Sequence, residues 1–125
     1  MGHNLNIRFH DGEEGEKIAV ISAEPDSKKI KSPEDIMDFW GDCYVNNCTK
    51  MIIYQDALDD SFFDLKTGVA GEILQKFATY SMKLAIVGNF SNIESKSLRD
   101  FIRESNRLKF INFLESEKEA IQTLK

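Results

Sequence analysis

The sequence has little of what disulfide-rich, membrane or nucleic-acid-binding proteins need. Its 125 residues include only two cysteines, two prolines and seven glycines. Two cysteines cannot supply a disulfide framework or a four-ligand zinc site, and so few prolines and glycines argue against a long linker. No apolar run reaches the roughly 18 residues of a membrane-spanning helix, and no signal-peptide core opens the chain. The net charge of −5 argues against a dedicated nucleic-acid binder.

The remaining composition, 42% hydrophobic and 30% charged, is that of an ordinary globular protein. The length predicts one domain over residues 1–125, in which residues 1–3 are disordered or a cloning remnant. The spacing of Cys43 and Cys48 fits no redox or zinc motif, so both are expected to be reduced thiols. Reduced thiols and the missing signal peptide predict a cytoplasmic protein.

Hydrophobic periodicity predicts alternating strands and helices. Strands are expected over residues 5–9, 17–23, 51–54, 82–87 and 110–114. Helices are expected to begin at Ser32-Pro33, between Ser61 and Thr67, at Ser95 or Ser97, and at the capping box of residues 116–119. The resulting order β-β-α-β-α-β-α-β-α predicts an α/β fold with a mostly parallel five-stranded sheet.

The first predicted helix carries an apolar stripe at helical spacing, made of Ile36, Met37, Trp40, Cys43 and Tyr44. Phe39 falls at the margin of this stripe and Val45 lies behind it. We expect the stripe, including Trp40, to face the protein interior.

Three stretches carry a resemblance to a known family. They are FFDLKTG with AGEILQKF at residues 62–68 and 70–77, KLAIVGNF at 83–90, and SKSLRDFI with ESN at 95–102 and 104–106. These stretches resemble a bacterial family of domains of unknown function, DUF4180, and the similarity runs from about residue 17 to the C-terminus. The resemblance implies no assigned activity.

The predicted element order also resembles the STAS fold of sulphate-transporter tails and anti-sigma-factor antagonists. That resemblance implies a sheet with helices on one side and a function in binding partners. Some members are phosphorylated at the start of the second helix, which here would be Ser61 or Thr67. The usual Asp-Ser-Ser/Thr-Gly signature is absent, and Asp60-Ser61 and Lys66-Thr67-Gly68 match it only in part.

Polar residues follow the third and fourth predicted strands, where open parallel sheets tend to bind ligands. These candidate binding residues are Asp56, Asp59, Asp60, Ser61, Lys66, Thr67 and Asn89. The acids could hold a hard cation, but we expect them to cap a helix N-terminus instead. The sequence shows no catalytic constellation, so we predict no catalytic residue, metal or cofactor.

Two basic segments are expected to be solvated. One is the loop of residues 28–31, and the other is a helical stripe of Lys96, Arg99, Arg103 and Arg107, balanced by nearby acids. Recognition of an acidic partner by the stripe remains a weaker hypothesis.

Aromatic residues lie on the same predicted edge as the polar candidates. Phe62, Phe63 and Phe90 are each expected to be buried, but exposed together they would mark an interface. Our leading hypothesis is a non-catalytic, STAS-like interaction module that binds a protein partner or forms a homodimer, without nucleic acid or membrane. The alternative is a small-molecule binder or enzyme that uses the loops after the third and fourth strands.

Overall fold

A computed structural model describes residues 5–11, 15, 17–24, 29–108 and 111–124. Its sheet contains β1 (Asn6–Asp11), β2 (Lys17–Ser22), β3 (Cys48–Tyr54), β4 (Lys83–Val87) and β5 (Asn112–Leu114). The strands lie in sequential order, β1-β2-β3-β4-β5. The β1–β2 pair is antiparallel and the other three pairs are parallel. The predicted start of the fifth strand at Phe110 lies outside the described residues.

Five α-helices connect or follow the strands: α1 (Pro33–Val45), α2 (Asp60–Phe63), α3 (Val69–Thr79), α4 (Lys96–Leu108) and α5 (Glu117–Leu124). Short 3₁₀ turns at Gln55–Ala57 and Leu65–Thr67 flank α2. Among the described helices, none has the length and apolar character needed to cross a membrane.

The helix starts follow from local chemistry. Pro33 opens α1, where its fixed φ suits the first helical turn, and two acids follow it to complement the helix dipole. Ser95 caps α4, because its hydroxyl accepts a hydrogen bond from the backbone N–H of Leu98 at 3.2 Å. Ser116 caps α5 in the same way, accepting from the N–H of Glu119 at 3.2 Å. The Ser116 half of the predicted capping box is therefore confirmed, whereas the Glu119 carboxylate accepts from the N–H of Glu115 at 3.3 Å rather than from that of Ser116. Ser95 rather than Ser97 begins α4.

Each face of the sheet has its own apolar cluster. Parallel strands added in one direction by right-handed crossovers place their helices on the same face, and α1, α3 and α4 share the larger cluster with Met51 and Ile53 of β3. Ile52 points to the opposite face, where the cluster includes Ala120 and Leu124 of α5. Because successive side chains of β3 point to opposite faces of the sheet, α1, α3 and α4 pack on one face and α5 packs on the other.

One loop prediction is wrong. Ile30 was expected in a solvated lysine-rich loop, but it is fully buried and forms a parallel bridge with Leu58. Its N–H donates to the Ala57 carbonyl at 2.8 Å, and its own carbonyl accepts from the N–H of Asp59 at 2.9 Å. A single apolar residue among lysines has no periodicity, so this pairing could not be predicted from the sequence.

Candidate functional site

The most distinctive surface of the molecule lies between α1 and α3. Among the described residues, five large hydrophobic side chains are exposed, and three of them gather here: Met37, Tyr44 and Tyr80. Tyr44 is 88% exposed and Tyr80 51%. Exposed apolar side chains that cluster in this way are typical of interaction surfaces.

These residues border a cavity of about 310 Å³ whose lining is aromatic and sulfur-rich. The cavity is lined by Met37, Trp40, Cys43, Tyr44, Cys48, Thr49, Tyr80 and Met82. A second cleft of about 610 Å³ continues between the N-terminal halves of α1 and α3, and Met37 lines both. We call the two cavities together the α1–α3 groove.

The groove lies at the edge of the sheet where the parallel strands begin. Cys48 is the first residue of β3, and Met82 directly precedes β4. The carboxyl ends of the strands, where ligands were expected, are at the opposite edge. The exposed apolar surface and the predicted polar site are therefore far apart in the fold.

Trp40 forms the floor of the cavity. Its ring packs against Phe77 and Tyr80, with centroids 5.6 Å and 4.8 Å apart. Its indole N–H donates a hydrogen bond to the sulfur of Met82. Trp40 is half-buried and packs against the larger apolar cluster, so one side of the ring supports the interior and the other faces the groove.

The two thiols lie side by side beneath the groove. Cys43 is in the last turn of α1, and a turn at Asn46 and Asn47 leads directly to Cys48. Asn47 has a φ of 56°, a left-handed conformation that asparagine tolerates well. Both cysteines are buried and reduced.

Their contact separates the pKa values of the two thiols. A hydrogen bond to Cys48, together with burial, raises the pKa of Cys43 well above its usual range. The same hydrogen bond lowers the pKa of Cys48 to about 6, against the effect of burial. The two pKa values are therefore shifted in opposite directions, and Cys48 is the thiol of the pair that loses its proton more readily.

The family model described as a domain of unknown function, DUF4180, matches residues 14–124. The chain belongs to the DUF4180 family. No match was found among curated proteins.

In this DUF4180 chain, Asp59 is the one of the three acidic candidates that caps a helix, whereas Asp56 and Asp60 lie in the first turns of their short helices. Asp59 caps α2 by accepting from the N–H of Ser61 at 3.1 Å, and this hydrogen bond holds the pKa of Asp59 below its usual value. Asp64 accepts from the N–H of Lys66 at 3.2 Å. Asp56, Asp60 and Lys66 are exposed.

Ser61 and Thr67, the two predicted phosphorylation sites, are brought together. The Thr67 hydroxyl lies 2.7 Å from the Ser61 carbonyl oxygen and 2.9 Å from that of Asp64. It also accepts a hydrogen bond from the N–H of Val69 at 3.2 Å. The hydroxyl therefore links α2 to the start of α3.

Asn89 belongs to a separate polar cluster after β4. Its backbone N–H donates to the side-chain oxygen of Gln55 at 3.1 Å. Its side-chain oxygen accepts from the N–H of Ser91 at 3.1 Å and from the Ser91 hydroxyl at 2.7 Å. Asn89 thus lies beside the end of β3, while its own side chain organises the following turn.

The predicted aromatic edge is packed inward. Phe62 is buried, and Phe63 and Phe90 are half-buried. Their rings form a chain: Phe62 to Phe63 at 5.0 Å, Phe63 to Phe90 at 6.3 Å, and Phe90 to Phe113 at 5.3 Å. These packed rings lie at the carboxyl edge and support the core, which agrees with the expectation that each of the three residues taken singly is buried.

Sequence reasoning missed the groove in this DUF4180 protein. Trp40 and Tyr44 have the i, i+4 spacing of one helix face, but they were assigned to the interior. Tyr80 and Met82 follow the end of α3 and belong to no periodic pattern. The one available signal was the density of aromatic and sulfur side chains from Met37 to Cys48.

Proposed function

We propose that this protein is a non-catalytic interaction module that self-associates through the α1–α3 groove. The observation that carries the proposal is the convergence of three of the five exposed large hydrophobic side chains among the described residues on one surface. Aromatic residues and methionine are enriched in protein interfaces, and a large exposed apolar patch is rare on a monomer.

Charge supports a second copy of the chain as the partner. The α1 side of the groove is acidic: this helix contains Glu34, Asp35, Asp38 and Asp42 and no lysine or arginine. On the other side, α3 carries Glu72 and Lys76, and Lys76 lines the same cleft as Glu34 of α1. A two-fold axis along the groove would place Glu34 of each copy near Lys76 of the other.

The topology supports the resemblance to STAS domains. The sequential strand order and the shared face of α1, α3 and α4 support a sheet that carries most of its helices on one side, although α5 packs on the opposite face. This support is fold-level analogy to partner-binding domains. A cytoplasmic location is part of the proposal, supported by the two free thiols.

The surface clefts support a role without catalysis. The largest described cleft, about 1060 Å³, lies between α3 and α5, and Lys83 is the one titratable side chain among its described lining residues. Small-molecule binding at the carboxyl ends of β3 and β4 remains a prediction. The side chains of Asp59 and Thr67, which that alternative requires, are engaged in local capping.

Light scattering behind a sizing column, over a series of protein concentrations, tests self-association. We expect a monomer–dimer equilibrium, and Tyr44→Ser should raise the dissociation constant about tenfold or more. Leu108→Ser is the matched control, because Leu108 is also an exposed large hydrophobic residue, 43% accessible, but lies in α4. It should leave the equilibrium unchanged.

A wild-type monomer at every concentration would contradict self-association. A dimer that Tyr44→Ser and Leu108→Ser weaken equally would place the interface elsewhere. If the chain is monomeric but forms a complex with a different protein that Tyr44→Ser abolishes, the groove binds another partner and the homodimer proposal is wrong.

A further inference from the structure

The α1–α3 groove concentrates most of the sulfur in this protein. The chain contains two cysteines and four methionines. Both cysteines, together with Met37 and Met82, line the cavity of about 310 Å³. Four sulfur atoms around one cavity form a donor set that self-association does not require.

We propose that Cys43 and Cys48 bind one soft monovalent metal ion of the Cu(I) type, with the thioether of Met82 as the third ligand. Thiolate and thioether ligands select soft ions such as Cu(I) over hard cations. The site is independent of the proposed dimer, because all three ligands come from one chain.

The two thiols are already placed to share an ion. They line the same cavity, and both are shielded from bulk water, with 1% and 6% exposure. The last turn of α1 holds Cys43, and the start of β3 holds Cys48. Ligands on regular elements are held more precisely than ligands on loops.

Met82 is held in position by two contacts. Its sulfur accepts the hydrogen bond from the Trp40 indole, and its backbone N–H donates to the Phe77 carbonyl at 2.9 Å. The indole contact leaves another lone pair on the thioether sulfur for a metal. Outer contacts that orient a ligand in this way commonly tune metal affinity.

The donor set disfavours the other common ions. Within the described parts of the chain, no three His, Cys, Asp or Glu side chains are grouped to hold a metal. A structural zinc site needs four such ligands, and calcium or magnesium needs carboxylate or carbonyl oxygens. Two thiols with a thioether suit a soft ion of low coordination number.

Binding requires no redox step. In going from the fully protonated pair to the complex, two S–H bonds break, two protons leave to solvent, and two Cu–S bonds form. The thioether donates a lone pair without losing a proton. Copper remains Cu(I), and no electron is transferred.

Anaerobic titration of the reduced full chain with Cu(I), in competition with a coloured Cu(I) chelator, tests the site. We expect one Cu(I) per chain by native mass spectrometry, with an ultraviolet thiolate-to-copper absorption band. Cys43→Ser and Cys48→Ser should each abolish the band. Met82→Leu, which keeps the apolar volume, should weaken binding by about 10–100-fold, as changes around metal ligands commonly do.

Met51→Leu is the matched control, because Met51 is buried in β3 and does not line the cavity. It should bind Cu(I) like the wild type. Circular dichroism confirms that each variant is folded, and Met82→Leu keeps the test decisive if a serine variant unfolds.

Three results would overturn the proposal: no Cu(I) binding by the reduced protein, binding unchanged in folded Cys48→Ser, or equal losses in Met82→Leu and Met51→Leu. A reduced chain that binds no copper but readily forms a Cys43–Cys48 disulfide would also overturn it. Repeating the titration with Glu34→Lys, at a residue that lines the second cleft and not the cavity of the sulfur ligands, separates this proposal from the dimer, since a monomer should still bind one ion.

Discussion

At the end of β4, a single glycine allows two strands' loops to approach closely. A Cβ built on Gly88 would lie 2.4 Å from the side-chain oxygen and 2.6 Å from the Cβ of Gln55. The same Gln55 oxygen accepts from the backbone N–H of Asn89 at 3.1 Å. The contact with Gln55 Cβ cannot be relieved by rotating the tip of that side chain, so space requires glycine here.

Gly88→Ala should therefore destabilise the protein by about 1–3 kcal/mol, the usual cost of overpacking. Denaturant unfolding measures the change. Gly71→Ala in α3 is the control, because its added Cβ would have no neighbour within 4 Å. Replacing a helical glycine should stabilise the chain by about 0.5–1 kcal/mol. Equal losses in both variants would refute the steric argument.

Tyr44 shows what a helical pattern can and cannot predict. The stripe correctly places Ile36 and Cys43 in the interior, but Tyr44 was wrongly included, since it is 88% exposed. Phe39, expected at the margin, is buried instead. Periodicity gives the direction of a side chain around the helix axis. It does not show how far the neighbouring element extends to cover it.

The elements themselves were largely predictable. The continuous runs at β2, β3 and β4 and the caps at Ser32-Pro33 and Ser116 located their strands and helices closely. The structure of the connection after β3 could not be predicted, because α2 and its flanking 3₁₀ turns are too short to show a hydrophobic periodicity. Similarly, the Ile30–Leu58 bridge depends on tertiary burial of one residue.

On the opposite face of the sheet, α5 is fixed to the strands by its first residue. Glu117 forms an ion pair with Arg8 of β1 and accepts a hydrogen bond from the Tyr54 hydroxyl of β3 at 2.6 Å. Burial alone would raise the pKa of Glu117, but the hydrogen bonds from Arg8 and Tyr54 outweigh it and hold the pKa below its usual value of 4.5.

Because the folded state lowers this pKa, the pairing stabilises the protein fully above pH 4.5 and is lost as the pH falls below that value. Glu117→Gln should cost about 1 kcal/mol at neutral pH, since Arg8 is largely exposed, and the difference from wild type should shrink in acid. Thermal unfolding from pH 7 to 3 measures this. Glu115→Gln, at an exposed residue, is the control. A difference in stability between Glu117→Gln and the wild type that stays constant with pH would contradict the account.

For the whole molecule, the two edges of the sheet have different roles. At the carboxyl edge, the Asp59 carboxylate caps α2, and the rings of Phe62, Phe63 and Phe90 pack against one another. At the amino edge, apolar side chains remain exposed beside α1 and α3. A sequence places residues on elements, but it cannot show which edge the neighbouring elements leave uncovered. The location of the groove therefore required the tertiary structure.

The charges beside the groove make the proposed dimer self-complementary. Glu34 of α1 and Lys76 of α3 line the same cleft of the groove. In a two-fold dimer, each Glu34 would lie near the partner's Lys76. Glu34→Lys alone would oppose lysine to lysine, and Lys76→Glu alone would oppose acid to acid, so each variant should dimerise more weakly than wild type.

Mixing these two variants tests the central claim most directly. Glu34→Lys and Lys76→Glu, combined in equal amounts, would restore both opposite-charge contacts in a heterodimer. We predict that native mass spectrometry of the mixture detects the heterodimer in excess of either homodimer, and that added salt reduces this preference. A statistical mixture, or two variants that dimerise as well alone as together, would contradict a two-fold interface at the α1–α3 groove.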